Sequence, residues 1–539
     1  MPMRGTPEFI EHCNAALTAW DAAHSTERLW KKDASLWTAT SEAQWLGWLD
    51  APFIARPSLN ALETTLRSAV PGNTRDALLL GMGGSSLAAE VIARVARGDG
   101  ARTLHIIDST EPSFVRDAFA RIDWHTTMCV VASKSGTTLE PDILLATALA
   151  HARERMGTDA ARHFVAITDP GSALAKHAHA SGFAAVIDGE PAIGGRFSAL
   201  SPFGLVPAML HGVGLAEFVE SAKSMANACR SSAPANPGAQ LGVFLGVAAR
   251  EGRNKCTLVL PASLAPLGAW IEQLIAESTG KRGVAILPID GEPLASPDVY
   301  GADRAFVRVR DLRARDDHGA AVDALAARGH PVFEFAVDGA ASLAGEFFRW
   351  EFATAVAGAI LGVNPFDQPD VEAAKVATRA ITDAQEKGGA STVRAPADEN
   401  SGIRALLASV RDGDYVALLA FLPMTQATQD VLQRVRASIR DKTRAATTVG
   451  FGPRYLHSTG QAFKGGPNSG VFMQLTCDAP NDLAIPGRRV TFGSVVEAQA
   501  AGDRQVLRER GRRVLHIHLD GDLPNALERF AKDVESALR

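Results

Sequence analysis

A short hydroxyl-rich segment follows directly on the apolar run at residues 128–132. Its polar members are Ser133, Lys134, Ser135, Thr137 and Thr138, with Gly136 between them. The residues that follow, 139–153, are rich in Leu and Ala and predict a helix. The hydroxyls are therefore expected where a strand ends and a helix begins, a place where backbone N–H groups and the helix dipole attract anions. The segment predicts a phosphate-binding loop; the alternative is a plain strand-helix turn capped by Thr138.

Regular alternation of short apolar strands and helices surrounds this loop. Strands are predicted at 77–80, 104–107, 128–132 and 164–168, with helices between them, and a second series of the same plan begins near residue 238. Such alternation predicts an α/β protein with parallel sheets covered on both faces. A third, smaller region after residue 400 is expected to be an α+β domain.

The chain length favours several domains rather than a single core. We predict an amino-terminal helical segment (1–70, with a helix at 28–50), two doubly wound sheet domains (71–215 and 216–390) and the carboxy-terminal domain (400–539). The polar segment 387–401 is the predicted linker.

Charge and cysteine usage exclude several classes of protein. Lys and Arg total 55 against 60 Asp and Glu, a net charge of −5, which offers no general attraction to nucleic acid or an acidic membrane. The basic run at 508–513 is interrupted by Glu509 and is expected to be a solvated helix end. Five scattered cysteines show neither a disulfide framework nor metal-ligand spacing, and no signal peptide is apparent, so a cytoplasmic location is expected. The apolar run at 352–363 is too short to span a membrane and predicts a buried helix.

A second glycine-rich turn, GMGGSS at 81–86, follows the first predicted strand. A dinucleotide fingerprint that begins at Gly81 requires glycine at position 86, where this chain has Ser86. We therefore expect the turn to serve a different ligand: Gly84 allows close approach of the backbone, and Ser85 can reach a substrate hydroxyl.

Five motifs, in order and spacing, resemble those of the glucose-6-phosphate isomerases. They are GMGGSSL at 81–87, SKSGTTLE at 133–140, GGRFS at 194–198, ESTGK at 277–281, and NPFDQP at 364–369 continuing to Lys375. The segment RLWKKDASLW at 28–37 and the region after residue 400 are most similar to the isomerase part of bifunctional transaldolase/glucose-6-phosphate isomerases. No barrel pattern that could carry a transaldolase lysine is present.

This resemblance implies two sugar-isomerase (SIS) domains with an active site between them, usually completed by a partner subunit, so a homodimer is possible. Glu277 matches the catalytic base and Gln273 a supporting amide on the same helical face. Arg196 matches the group that stabilises the enediolate, and Gln368 and Lys375 match residues at the site, the lysine assisting ring opening. Glu140 matches a carboxylate at the site, although a carboxylate in the first turn of a helix is stabilising without any function. For Arg196, a structural salt bridge is the alternative.

One departure concerns the histidine that opens the sugar ring in the family. The corresponding segment reads Gly301-Ala302-Asp303-Arg304, and Asp303 cannot supply an imidazole. His457, in a polar, glycine-rich stretch of the third region, is a candidate replacement, and a purely structural histidine is the alternative.

The resemblance implies interconversion of glucose 6-phosphate and fructose 6-phosphate through a cis-enediolate, a step of glycolysis and gluconeogenesis, without a metal or redox cofactor. Two alternatives remain: a non-catalytic sugar-phosphate sensor, and an isomerase that also accepts mannose 6-phosphate. The three charged residues Glu277, Arg196 and Lys375 favour an enzyme over a sensor.

Overall fold

The structure is a computed structural model that describes residues 2–98, 100–315, 318–387 and 399–539. Within these residues the strands form three sheets, and the amino-terminal elements precede the first of them. Those elements are β1 (Met3–Arg4), α1 (Pro7–Ala22), α2 (Ser25–Trp30) and α3 (Arg56–Ala69).

The prediction of a helix over residues 28–50 is wrong. The helix α2 ends at Trp30, and short 3₁₀ turns occupy much of the following stretch. Lys32 takes a left-handed backbone conformation (φ 58°), and the Asp33 carboxylate accepts a hydrogen bond from the Ser35 N–H. Local hydrogen bonding of this kind offers the backbone an alternative to the helix.

The first sheet is parallel and has five strands in the order β3-β2-β4-β5-β6. Its elements are β2 (Asp76–Leu80), α4 (Leu87–Val95), β3 (Thr103–Ile107), α5 (Pro112–Ala120), β4 (Thr127–Ala132), α6 (Leu139–Met156), β5 (Phe164–Thr168), α7 (Ala173–Ser181), β6 (Ala185–Asp188) and α8 (Pro202–Leu210). Because β2 and β4 are neighbours, the turn after Leu80 and the loop after Ala132 leave the same edge of the sheet. This is the edge where open α/β sheets bind ligands.

The second sheet has the order β1-β10-β9-β7-β8, and only β1 is antiparallel to its neighbour. Its elements are α9 (Leu215–Ala228), α10 (Pro237–Arg250), β7 (Lys255–Val259), α11 (Leu267–Thr279), β8 (Leu287–Ile289), β9 (Arg304–Asp311), α12 (Gly319–Ala327), β10 (Val332–Val337), α13 (Leu343–Leu361) and α14 (Pro369–Glu386). The predicted buried helix at 352–363 is the second half of α13. The predicted linker at 387–401 lies mostly outside the described residues.

The third sheet, β12-β11-β13-β14, is parallel throughout. Its elements are α15 (Glu399–Ala408), β11 (Tyr415–Phe421), α16 (Gln426–Thr443), β12 (Ala446–Phe451), α17 (Gly460–Gly465), β13 (Gly470–Cys477), α18 (Phe492–Glu509), β14 (Arg513–Leu519) and α19 (Leu523–Ala537). The α/β class of the chain is confirmed, but the α+β plan expected here is wrong, because all strand pairs of this sheet are parallel and joined by crossovers. We call residues 399–539 the carboxy-terminal unit.

The carboxy-terminal unit packs directly on the elements that carry the predicted site residues. Helix α17 approaches the end of α11 so closely that a Cβ at Gly280 would lie 2.3 Å from the Ala462 Cα. Helix α18 packs on α14, and Arg436 of α16 donates a hydrogen bond to the Asp290 carbonyl oxygen (2.8 Å). This docking places the turn before α17 beside the end of α11.

Among the described residues, no helix combines the length and the apolar character needed to cross a membrane.

Candidate active site

A cavity of about 1030 Å³ lies between the carboxyl edge of the first sheet, the end of α11, helix α14 and the carboxy-terminal unit. Every site residue predicted from the sequence lines it. They are Gly84, Ser85, Ser133, Lys134, Ser135, Thr137, Thr138, Glu140, Arg196, Gln273, Glu277, Gln368, Lys375 and His457. Residues from six separate stretches of the chain thus meet at one place.

The hydroxyl-rich loop presents largely uncommitted polar groups to the cavity. Thr138 is the N-cap residue of α6, yet its side chain does not cap the helix, so the plain capping alternative does not describe this turn. Ser133 Oγ is buried without a hydrogen-bond partner in the described part of the chain, and the Ser135 and Thr137 hydroxyls bond only to each other and to the loop backbone (2.9 and 3.3 Å). Buried polar atoms without partners are rare in native structures and are typical of ligand sites.

Lys134 lines the cavity but its ammonium group is already engaged. The Nζ atom lies 2.7 Å from the Asp169 carboxylate and donates to the carbonyl oxygens of Glu190 and Pro191 (3.1 and 3.3 Å). The loop therefore offers hydroxyl and backbone N–H groups rather than a free positive charge.

The glycine-rich turn after β2 brings a second loop into contact. A Cβ at Gly84 would lie 2.0 Å from the Gly195 carbonyl oxygen, so only glycine permits this approach. The contact sets the position of the neighbouring Arg196.

Arg196 is buried (2 % exposed) and held by four hydrogen bonds. Its Nε donates to Ser278 Oγ (2.8 Å), its Nη1 to Gln368 Oε1 (2.8 Å), and its Nη2 to the carbonyl oxygens of Pro365 and Asp367 (2.6 and 2.9 Å). The Nη1 atom also lies 3.4 Å from Glu277 Oε1. The guanidinium is thus fixed against the carboxylate at the cavity wall.

Glu277 lies near the end of α11 with its carboxylate mostly buried (11 % exposed). Its second oxygen accepts a hydrogen bond from Gln273 Nε2 (3.2 Å), which also donates to the His457 carbonyl oxygen (2.7 Å). The one-turn spacing predicted from the sequence is confirmed. A carboxylate held between an amide and a guanidinium can take up and return a proton at a fixed point in the cavity.

Glu140 and His457 form a buried pair between the first turn of α6 and the 3₁₀ turn before α17. His457 Nε2 lies 2.9 Å from Glu140 Oε1, and the imidazole is only 13 % exposed. Burial opposes ionisation of the carboxyl group, but His457 more than offsets it, so the pKa of Glu140 lies below its usual value. The structure therefore favours a place in the site for both residues over the purely structural alternatives.

Lys375 projects into the same cavity from α14. Its Nζ is 3.9 Å from Glu372 and partly exposed (39 %), and its charge also acts on Glu140. Asp303, by contrast, is placed away from the cavity: its carboxylate pairs with Lys255 (3.0 Å).

Several residues of the site were missed by the sequence analysis. Gln499 and Arg488 line the cavity from the carboxy-terminal unit, where no motif marked them. Lys281, within the ESTGK motif, received no role and lies beside the site without lining the cavity; its buried Nζ contacts the Asn364 carbonyl oxygen and Asp367 Oδ1 (2.8 Å). Burial, and then the charge of Arg196, lower the pKa of Lys281 to about 7.

The fold and this cavity define an α/β protein with a candidate site at the carboxyl edge of a parallel sheet. Residues 63–289 match the model of the phosphoglucose isomerase family.

Similar proteins agree with this assignment. A glucose-6-phosphate isomerase of Acaryochloris marina is 35% identical over 216 residues, which cover 38% of this chain and 40% of that protein. A second, from Nostoc sp., is 28% identical over 355 residues, which cover 58% of this chain and 67% of that protein. The chain thus spans about two fifths of the length of several such curated relatives.

Solved structures share the fold at low sequence identity. A glucose-6-phosphate isomerase from Chlamydia trachomatis superposes with a TM-score of 0.58 at 17% identity, covering 69% of this chain and 86% of that one. A hypothetical protein from Thermus thermophilus gives a TM-score of 0.60 at 24% identity, covering 70% of this chain and 99% of that one. These likenesses concern the fold alone.

Proposed function

We propose that this protein interconverts glucose 6-phosphate and fructose 6-phosphate by proton transfer through a cis-enediolate. One observation carries the proposal: a single cavity holds a hydroxyl-rich anion loop, a carboxylate fixed against a guanidinium, and a histidine-carboxylate pair. These are the three functions that the reaction needs, namely binding of a phosphate, transfer of a carbon-bound proton and opening of a sugar ring.

The loop at 133–138 binds the substrate phosphate. Ser135, Thr137 and Thr138 donate hydroxyl hydrogen bonds, and the amides at the start of α6 add their dipole. Lys134 holds the loop against Asp169 instead of touching the phosphate. Binding energy from this remote group positions the reacting carbons against the base.

Glu277 transfers the proton between the two reacting carbons. Its carboxylate takes the C2 proton of the open-chain aldose and returns it to C1, while a hydroxyl proton moves from O2 to O1. The negative charge that develops on these oxygens is stabilised by Arg196, which the surrounding acceptors hold in place before the substrate arrives.

His457, with Glu140 and Lys375, opens and closes the ring. The imidazole gives a proton to the ring oxygen as the bond from C1 breaks, and the hydroxyl proton on O1 passes to water as the C1 carbonyl forms. Glu140 holds the imidazole at its other nitrogen. His457 belongs to the same chain as Glu277. The resemblance placed this histidine in the segment at 301–304 and implied completion of the site by a partner subunit.

Two further proposals concern the domain boundaries and the cellular location of the protein. We propose that the division at 70/71, 215/216 and 390/400 separates the domains, and that the carboxy-terminal unit is part of the catalytic machinery. The five free cysteines favour a reducing, cytoplasmic location.

A direct assay tests the proposal. Purified protein is supplied with glucose 6-phosphate, fructose 6-phosphate and mannose 6-phosphate, and isomerisation is followed by coupled assays while interconversion of the α and β anomers is followed by exchange NMR. We expect isomerisation of the first two sugars and accelerated anomerisation. Turnover of mannose 6-phosphate would broaden the substrate range, and binding without turnover of any of them would identify a sensor and reject the proposal.

A histidine variant tests the ring-opening step. His457→Asn should lose at least ~10²-fold in catalysed anomerisation, the lower end of the range for general acid-base catalysis. His179→Asn, on the exposed face of α7, is the matched control. Equal anomerisation in the two variants would exclude His457 from the mechanism.

A further inference from the structure

One oxygen of Glu140 accepts two hydrogen bonds, and the second donor is an amide that no motif indicated. Glu140 Oε1 lies 2.9 Å from His457 Nε2 and 2.7 Å from Gln499 Nε2. Both Glu140 and Gln499 are buried, at 5 % and 2 % exposure. Gln499 makes the shorter of the two contacts with this oxygen.

The orientation of the Gln499 amide is fixed from its other side. Thr110, fully buried just after β3, donates its hydroxyl to Gln499 Oε1 (2.8 Å). An ionised carboxylate only accepts hydrogen bonds, so the NH₂ end of Gln499 must face Glu140 and its oxygen must face Thr110. A chain of buried hydrogen bonds thus runs from Thr110 through Gln499 to Glu140 and on to His457.

We propose that Gln499 is a positioning residue for ring opening: it shares the Glu140 oxygen that holds His457, and so sets the place of the imidazole. This inference rests on the function proposed above. Gln499 itself touches neither the base Glu277 nor the hydroxyl-rich loop in any contact of the described residues, so its effect is confined to one step.

Few charges surround this pair. His457 and, from α14, Lys375 act on Glu140, whereas Gln499 of α18 and Thr110 are neutral. Arg488, at the cavity rim, is paired with Asp142. The neutral amide is therefore a hydrogen-bond donor to the carboxylate that a variant can remove without changing net charge.

The direction of the effect follows from the hydrogen bond. A donor to a carboxylate stabilises its charge and makes it less basic. Without the Gln499 donor, Glu140 binds protons more tightly. The pH profile of kcat/KM should therefore move toward higher pH, because the Glu140 carboxyl group loses its proton later.

Four variants test this in the full-length protein. Gln499→Ala removes the donor, and Thr110→Val removes the hydroxyl that orients it while keeping the side-chain shape. Thr110→Ser keeps the hydroxyl and is the conservative variant. Gln505→Ala, an exposed glutamine on the same helix that bonds only to Glu509 in the described residues, is the matched control.

Three quantities are measured for each variant: anomer interconversion by exchange NMR, the pH profile of kcat/KM, and KM for glucose 6-phosphate. We expect Gln499→Ala to lose at least ~10-fold in anomerisation and to shift its profile upward by at least ~0.5 pH unit, with KM within ~3-fold of the wild type. Thr110→Val should change in the same direction by less, and Thr110→Ser and Gln505→Ala should match the wild type.

Unchanged anomerisation and an unshifted profile in both Gln499→Ala and Thr110→Val would overturn the inference. A uniform loss of activity with an unshifted profile would also overturn it, because a merely structural role predicts that result. Failure of the proposed function is a separate outcome, in which the wild-type protein itself neither anomerises nor isomerises the hexose phosphates.

Discussion

Replacement of Glu277 by glutamine tests the proton-transfer step most directly. The amide has nearly the same shape as the carboxylate but cannot act as a base at neutral pH. General acid-base catalysis contributes about 10²–10⁴-fold, which corresponds to about 2.7–5.4 kcal/mol of barrier. We therefore expect kcat to fall by at least ~10²-fold in both directions.

The hydrogen bonds of Glu277 indicate how much stability the Glu277→Gln variant should lose. Its two oxygens face two donors, Arg196 and Gln273, whereas an amide offers only one acceptor, so one donor loses a partner. Each donor keeps another acceptor, because Arg196 Nη1 also bonds to Gln368 and Gln273 Nε2 to the His457 carbonyl oxygen. The cost in stability should be about 1 kcal/mol, the value of one ordinary hydrogen bond, rather than the ~3–5 kcal/mol of an orphaned buried charge.

Steady-state coupled assays give kcat and KM, and NMR in D₂O follows exchange of the proton at the reacting carbon. KM should change little, because the phosphate is bound elsewhere in the cavity. Glu351→Gln is the matched control: it removes a buried carboxylate of α13 that lies outside the cavity, so turnover should stay normal. A Glu277→Gln protein with turnover within ~10-fold of the wild type would refute the assignment of the base.

Three further predictions follow from other parts of the structure. Ser135→Ala combined with Thr138→Ala should raise KM by at least ~10-fold with little change in kcat, since each hydrogen bond to a charged group is worth about 1.5–3 kcal/mol. Isothermal titration with fructose 6-phosphate measures the loss of affinity. Gly84→Ala should lower the free energy of unfolding by about 1–3 kcal/mol through overpacking and should displace the loop that carries Arg196. Gly194→Ala, whose Cβ meets no heavy atom within 4 Å, should have neither effect. Melting temperature and kcat of both variants are the measurements. Burial, opposed by an adjacent arginine, raises the pKa of Glu346 to about 7, so wild-type stability should fall relative to Glu346→Gln as pH rises from about 4.5 to 7.

The sign of the last prediction follows from proton binding. Over that window the folded protein keeps a proton on Glu346 that the unfolded chain releases, so raising the pH favours unfolding by up to ~1.4 kcal/mol per pH unit. Denaturation curves of both proteins at several pH values measure the difference. If the stability of the two proteins changed equally with pH, Glu346 would ionise normally in the fold. An unchanged KM in the Ser135→Ala/Thr138→Ala variant would reject the phosphate loop. Equal melting temperatures of Gly84→Ala and Gly194→Ala would reject the close contact at Gly84.

The local chemistry of the site followed from the sequence. The loop at 133–138 and the turn at 81–86 were placed at neighbouring strand ends, because alternating strands and helices with short connections admit few arrangements. The spacing of Gln273 and Glu277 placed both on one face of a helix, and the hydrogen bond between them confirms it. Both inferences depend on residues close together in the chain.

Contacts between distant residues were decided only by the tertiary structure. Lys134 was assigned to the predicted phosphate-binding loop, yet Asp169 engages its ammonium group. His457 was an open candidate until docking of α17 against Gly280 placed it beside Glu140, and Gln499 carried no signal in the sequence. Glu140 is more than 300 residues from both partners. Hydrophobic periodicity and motif spacing describe the faces of single elements, whereas these pairs depend on how whole units pack on one another.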